Sequence, residues 1–256
     1  MRRTSGQVRL RKSTSNLFRP RAVTDAELDL SEFAHVLAVD PVGRTASVGG
    51  LTTYEDLVAA TLPHGLVPLC VPQLRTITLG GAVTGLGIEA ASFRNGCPHE
   101  SVIGMDVLTG SGEVVRAAPG GEHSDLFFGF PNSYGSLGYA LRLDIELEPV
   151  RRNVALRHVR FRGAAELAAT MSSITGTGSF EDVPVDYMDA TLFSADEMYL
   201  TLGTYSDLGR VSDYTGQHIY YRSLQERSTD VLTTLDYLWR WDTDWFWCSA
   251  AFGVQN

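Results

Sequence analysis

The sequence predicts an α+β protein of two domains, and three observations carry that prediction. Short strand patterns joined by tight turns outnumber the helical ones. The helical patterns are brief and scattered between them. Pro149-Val-Arg-Arg then breaks the chain after its longest strand pattern, setting domains at residues 1–149 and 150–256. Val36 to Asp40 and Thr45 to Val48 read as strands around Pro-Val-Gly-Arg, a hairpin. In TTYEDLVAATLPHG, Thr52 or Thr53 caps a helix whose apolar stripe is Leu57, Val58 and Leu62, and Pro63 and Gly65 end it. VIGMDVLTGSGEVVRA is a second hairpin, and SDLFFGF a short helix. Tyr139 to Leu147 alternates apolar with polar residues, so one face is buried. Beyond the boundary, VALRHVRF (strand), GAAELAATMSSI (helix), VPVDYMDATLFS (strand) and MYLTLGTY (strand) make a second α+β unit. Its last two strands flank a turn at Ala195-Asp196-Glu197. The chain stops without a closing element, which reads as truncation of that domain.

Composition narrows the function. The net charge is −9, yet residues 1–24 hold seven basic residues and no acid; the remainder has 14 basic against 30 acidic residues. So acidic a body excludes nucleic acid as a partner, while the basic arm suits a phosphate or an anionic lipid surface. No stretch has the roughly 18 apolar residues of a membrane span, and the basic start lacks the apolar region of a signal peptide. The expected location is cytoplasmic, with peripheral membrane contact left open. Three scattered cysteines, Cys70, Cys97 and Cys248, form neither a CxxC pair nor a disulfide framework.

The informative segment lies in residues 66–101, too rich in glycine and proline for a long regular element. A loop that long is usually functional. In Pro72 to Gly96, PQLRTITLGGAVTGLGIEAASFRNG, the Gly80-Gly81 pair lets backbone amides approach an anion. Gly85 and Gly87 extend that open main chain, and Thr76, Thr78 and Thr84 add hydroxyls. Such a run of donors complements a diphosphate; a bare surface loop is the alternative. Gly85-Leu-Gly87-Ile-Glu-Ala90 also matches GxGxxA, with Asp106 at a ribose-contact distance, but Asn95-Gly96 and Cys97-Pro98 would break the helix that a dinucleotide βαβ unit needs.

TITLGGAVTGLGIEAASFRNG resembles the second FAD loop of the vanillyl-alcohol-oxidase-type (PCMH-type) flavoproteins, and within them is most similar to the Δ24-sterol reductase group. MDVLTGSGEVVRA, HSDLFFGFPNSYGSLGYALRLDIELEP and YMDATLFSADEMYLTLG are similar to further segments of that family in the same order, over about residues 33–205. The resemblance implies a two-subdomain FAD-binding fold followed by a partial α+β substrate domain. It places Thr78, Leu79, Gly80, Gly81, Ala82, Val83, Thr84, Gly85, Leu86, Gly87, Ile88, Glu89 and Ala90 along the FAD diphosphate and flavin edge, with Ser92 and Gly96 beside them. Gly135 and Gly138, in Gly135-Ser-Leu-Gly138, would close over the cofactor. The family's N-terminal phosphate loop falls at Arg11-Lys-Ser-Thr-Ser-Asn16, which lacks the usual glycines and histidine; FAD is therefore expected to bind non-covalently. The reaction implied is an FAD-dependent oxidoreduction, foremost the reduction of a C=C bond in a sterol- or isoprenoid-like lipid, with NADPH or another electron partner. An oxidase or dehydrogenase of an alcohol or sugar-like substrate is the second reading, and a non-catalytic FAD scaffold the third.

Catalytic candidates are few. His99 could contact the flavin or donate a proton, or cap a turn. Glu89 could act as a base, or its carboxylate could bind loop amides. His123-Ser-Asp125 has triad residue types, but Ser124-Asp125 reads better as a helix N-cap. His, Cys and Asp look too scattered for a metal site. Trp239, Trp241, Trp245, Phe246 and Trp247 read as core, as an apolar substrate wall, or as a membrane-interface contact.

Overall fold

The computed structural model describes residues 8–11, 26–214 and 220–241. In chain order these form β1 (Val8–Arg11), β2 (Ala26–Asp29), β3 (Val36–Asp40), β4 (Thr45–Gly49), α1 (Tyr54–Thr61), β5 (Leu66–Pro68), α2 (Leu79–Gly85) and α3 (Ser92–Asn95). There follow β6 (Val102–Leu108), β7 (Val114–Ala117), α4 (Ser124–Gly129), β8 (Tyr139–Pro149), β9 (Asn153–Phe161), α5 (Ala164–Thr177), β10 (Ser179–Phe180) and β11 (Val183–Pro184). The last are β12 (Tyr187–Ser194), β13 (Glu197–Ser206), α6 (Tyr220–Glu226), β14 (Thr229–Thr233) and α7 (Thr234–Leu238). The fold is α+β.

The chain divides into two compact units, Met1–Gly87 with Cys97–Pro149, and Ile88–Gly96 with Val150–Asn256. One division falls after Pro149, and residues 88–96 join the second unit, so the units are not separated by a single cut. Met188 donates its amide to the Ala90 carbonyl at 2.8 Å, and Phe93 packs on the second unit's core. Such distant pairings leave no local signal.

In the first unit an antiparallel sheet runs β3-β4-β8-β6-β7, with β5 pairing the end of β8. β8 is its spine: Leu143 and Ile145 are fully buried, while Arg142 and Glu146 are exposed, as the alternation predicts. On the polar face Arg116 pairs with both Asp106 and Asp144. Burial is the largest single influence on the Asp144 carboxyl and would raise it, yet hydrogen bonds from Arg116 and Ser47 and the charges of Arg116 and Arg142 together hold the group below its ordinary value. Thr53, one of the two expected caps, accepts the Asp56 amide at 3.2 Å and starts α1.

The second unit is a four-stranded antiparallel sheet, β12-β13-β9-β14. Its apolar face meets α5 through Phe161, Leu167, Ile174, Met198, Leu200 and Leu202. On the other face Asp189, Thr201 and His158 stand in register on neighbouring strands. His158 Nδ1 lies 3.0 Å from the Thr201 hydroxyl, and Arg240, buried over the Tyr237 ring, bonds to Asp189. Trp239 and Trp241 are buried, so the core reading holds for them; Trp245, Phe246 and Trp247 lie outside the described residues.

Candidate functional site

The glycine-rich segment is more ordered than its composition suggests. Leu79–Gly85 is a helix, not loop. Thr78 caps it, accepting the Gly81 amide on its hydroxyl at 3.3 Å. Leu79 and Gly80 donate to the carbonyls of Thr52 and Gly50, both at 2.9 Å, and Ala82 donates to Thr78 at 2.9 Å. The Thr84 hydroxyl donates to the Gly80 carbonyl at 2.8 Å. The first four amides of α2 are thus spent on protein, and one of the expected hydroxyl donors with them. The first glycine also has a packing role: a Cβ on Gly80 would lie 2.7 Å from the Gly50 carbonyl oxygen.

The end of α2 differs. A Cβ on Gly85 or Gly87 would meet nothing within 4 Å. Leu86, at φ 56° and ψ 163°, turns the chain out of the helix. No acceptor among the described residues takes the amides of Leu86, Gly87 or Ile88. No acidic residue occurs from Thr78 to Ile88. Open main chain with unspent donors and no carboxylate is what a diphosphate needs, and within the first unit Gly85–Gly87 has these features.

The Gly135–Gly138 segment reaches the same end of α2. Tyr134 donates its amide to the Thr84 carbonyl at 3.1 Å. Ser136 turns back on the Ser133 carbonyl, which its hydroxyl bonds at 2.7 Å. Gly135 has φ 82°, and Gly138, at φ 132°, lies where a Cβ would sit 2.3 Å from the Leu108 carbonyl. Tyr134 is 77% exposed, and Leu86 and Leu137 are also exposed. The fit to FAD rests on these features.

Beyond Gly87 the segment belongs to the second unit. Glu89 donates its amide to the Ser92 hydroxyl at 2.9 Å, in the turn that opens α3. Gly96, at φ 75°, ends that helix. The structure assigns Ile88, Glu89, Ala90, Ser92 and Gly96 to the second unit's local fold.

His99 sits in a 3-10 turn, Pro98–Ser101, just before β6, and its Nδ1 is buried without a hydrogen-bond partner. Cys97, His99 and Glu100 bring three ligand atoms within 4.8 Å of one another. Sequence reading missed this cluster because it sought widely spaced ligand pairs, whereas the turn gathers neighbours. His123, not Ser124 or Asp125, occupies the N-cap position of α4; Asp125 instead accepts the Leu126 amide at 2.8 Å. In the N-terminal stretch, Arg11 pairs with Asp29 at 3.3 Å, and residues 12–16 lie outside the described residues.

The FAD binding domain family matches residues 1–118. Over those residues the chain is similar to an FAD binding domain. It is 30% identical to the Delta(24)-sterol reductase of Arabidopsis thaliana over 183 residues, 70% of this chain and 32% of that protein. Against the Homo sapiens Delta(24)-sterol reductase it is 27% identical over 187 residues, 73% of this chain and 35% of that protein. Cytokinin dehydrogenase 2 of Oryza sativa subsp. japonica is 34% identical over 128 residues, 50% of this chain and 22% of that protein. The chain thus spans about a third of the length of the sterol reductases it matches. No helix among the described residues is long and apolar enough to cross a membrane.

Proposed function

We propose that this chain is the cofactor-holding part of an FAD-dependent oxidoreductase, acting on a C=C bond of a sterol- or isoprenoid-like lipid. The observation that carries this is the pair of unspent amides at Leu86 and Gly87, beside glycines that open the backbone. Those amides donate to phosphate oxygens. The exposed side chains of Leu86, Tyr134 and Leu137 pack against an aromatic ring system and exclude water. Gly80 and Gly138 hold the frame rigid by letting main chain meet main chain. FAD, when bound, supplies the two-electron chemistry, and the protein supplies binding and orientation. We take the lipid substrate from the similarity to sterol reductases.

The test uses FAD-loaded protein reduced with dithionite under nitrogen, so that no natural electron partner is required. Incubation with a Δ24-unsaturated sterol should yield product two mass units heavier, with the flavin reoxidised. A protein that takes up FAD but leaves the sterol unchanged excludes this substrate class; one that takes up no FAD excludes the whole reading. Similarity to cytokinin dehydrogenase favours a second reading, oxidation of a substrate by FAD. Bleaching of the oxidised flavin by that substrate, with no sterol turnover, would select it.

A further inference from the structure

We propose that Cys97, His99 and Glu100 form a binding site for a soft divalent cation of the zinc type. The proposal rests on these three side chains alone and does not depend on the identity of the substrate.

Local geometry gathers the three side chains. Pro98 follows Cys97 and pre-sets the backbone of the turn that opens there. Cys97, extended at the N-cap of that turn, is linked to Glu100 by a capping box, which keeps the two residues together. The Glu100 carboxylate accepts the Cys97 amide at 2.6 Å, which fixes one oxygen and leaves the other. His99, between them in sequence, completes a set whose ligand atoms lie within 4.8 Å of one another. Around zinc, bonds of about 2.0–2.3 Å hold neighbouring ligand atoms roughly 3.5 Å apart. Cys97 and His99 are half-buried and Glu100 is exposed, so the cluster can be reached by an ion from solvent.

Chemistry then selects the ion. Among the described residues no lysine or arginine pairs with Glu100, so the cluster has two electron-pair donors and a carboxylate with no cation. When a dication binds, the Cys97 S–H bond breaks, its proton goes to solvent, and the sulfur pair forms the metal bond. The buried, unpartnered Nδ1 of His99 marks a ring whose hydrogen bonding is incomplete. Thiolate with imidazole selects zinc over magnesium or calcium. Three protein ligands leave the fourth position to water, which makes the ion exchangeable rather than a closed structural centre.

The test uses FAD-loaded protein freed of metal with a chelator. Zinc titrated calorimetrically should bind one per chain, with protons released, and magnesium should give no heat of binding. Cys97→Ser and His99→Gln should each weaken zinc about 100-fold, roughly 2.7 kcal/mol, while flavin absorbance reports that the variants remain folded. Cobalt in place of zinc should give the native protein a thiolate-to-metal charge-transfer band that Cys97→Ser abolishes. The native-protein band keeps the test valid even if a variant fails to fold. No saturable zinc uptake would overturn the proposal, as would uptake unchanged in both variants or a cobalt band that survives Cys97→Ser.

Discussion

The two ends of α2 use glycine for opposite purposes. At Gly80 the missing side chain lets the helix press against the Gly50 carbonyl, and the amides there are consumed by protein. At Gly85 and Gly87 no described residue occupies the space a side chain would fill, and the amides that follow have no acceptor among the described residues. Gly138 belongs with the first kind, although it lies in a segment that reaches the second. A glycine-rich motif is therefore not uniformly a ligand motif. Half of it builds the frame and half faces outward.

Substitutions can break that contrast. The largest effect is expected from Gly138→Ala, which combines a left-handed φ with a collision against main chain; the first unit should lose about 3 kcal/mol in denaturant unfolding. Gly87→Val should leave that transition within about 0.5 kcal/mol. It should nevertheless weaken FAD at least 30-fold, about 2 kcal/mol, in a fluorescence-quenching titration. Gly80→Ala should show the reverse pattern, a stability loss of about 1–2 kcal/mol with FAD affinity changed less than threefold once folded. If Gly80→Ala cost only FAD and Gly87→Val only stability, the division would be inverted.

The smallest effect lies in the second unit. Burial holds the His158 ring below its ordinary proton affinity, more strongly than Asp189 and Asp230 raise it, with Arg240 lowering it further. Below pH 6.5 the unfolded chain takes up a proton that the folded one refuses, so stability falls as the pH drops from 7.5 to 5.5. His158→Gln should flatten that slope by about 1 kcal/mol. An unchanged slope would show that His158 is free to charge in the folded protein.

How much of this the sequence reveals depends on how local each cause is. The β3–β4 and β6–β7 hairpins and the alternation of β8 follow from period-two patterns and turn residues close together in the chain. The helix at Leu79–Gly85 does not, since its glycines argue against helix and the carbonyls that anchor it, at Gly50 and Thr52, come from far upstream. The attachment of residues 88–96 to the second unit depends on Ala90 meeting Met188. The composition of the candidate site was readable, whereas the division of labour among its glycines needed coordinates. Cys97, His99 and Glu100 are near neighbours in the chain, yet only the turn after Pro98 shows them converging.

Amide hydrogen exchange, measured with and without saturating FAD, tests the central assignment most directly. FAD should slow exchange at Leu86 and Gly87, whose amides have no acceptor among the described residues, far more than at Leu79 to Ala82, which are already bonded. Equal protection along the whole of α2, or none beyond Gly85, would contradict the placement of the diphosphate at this open stretch.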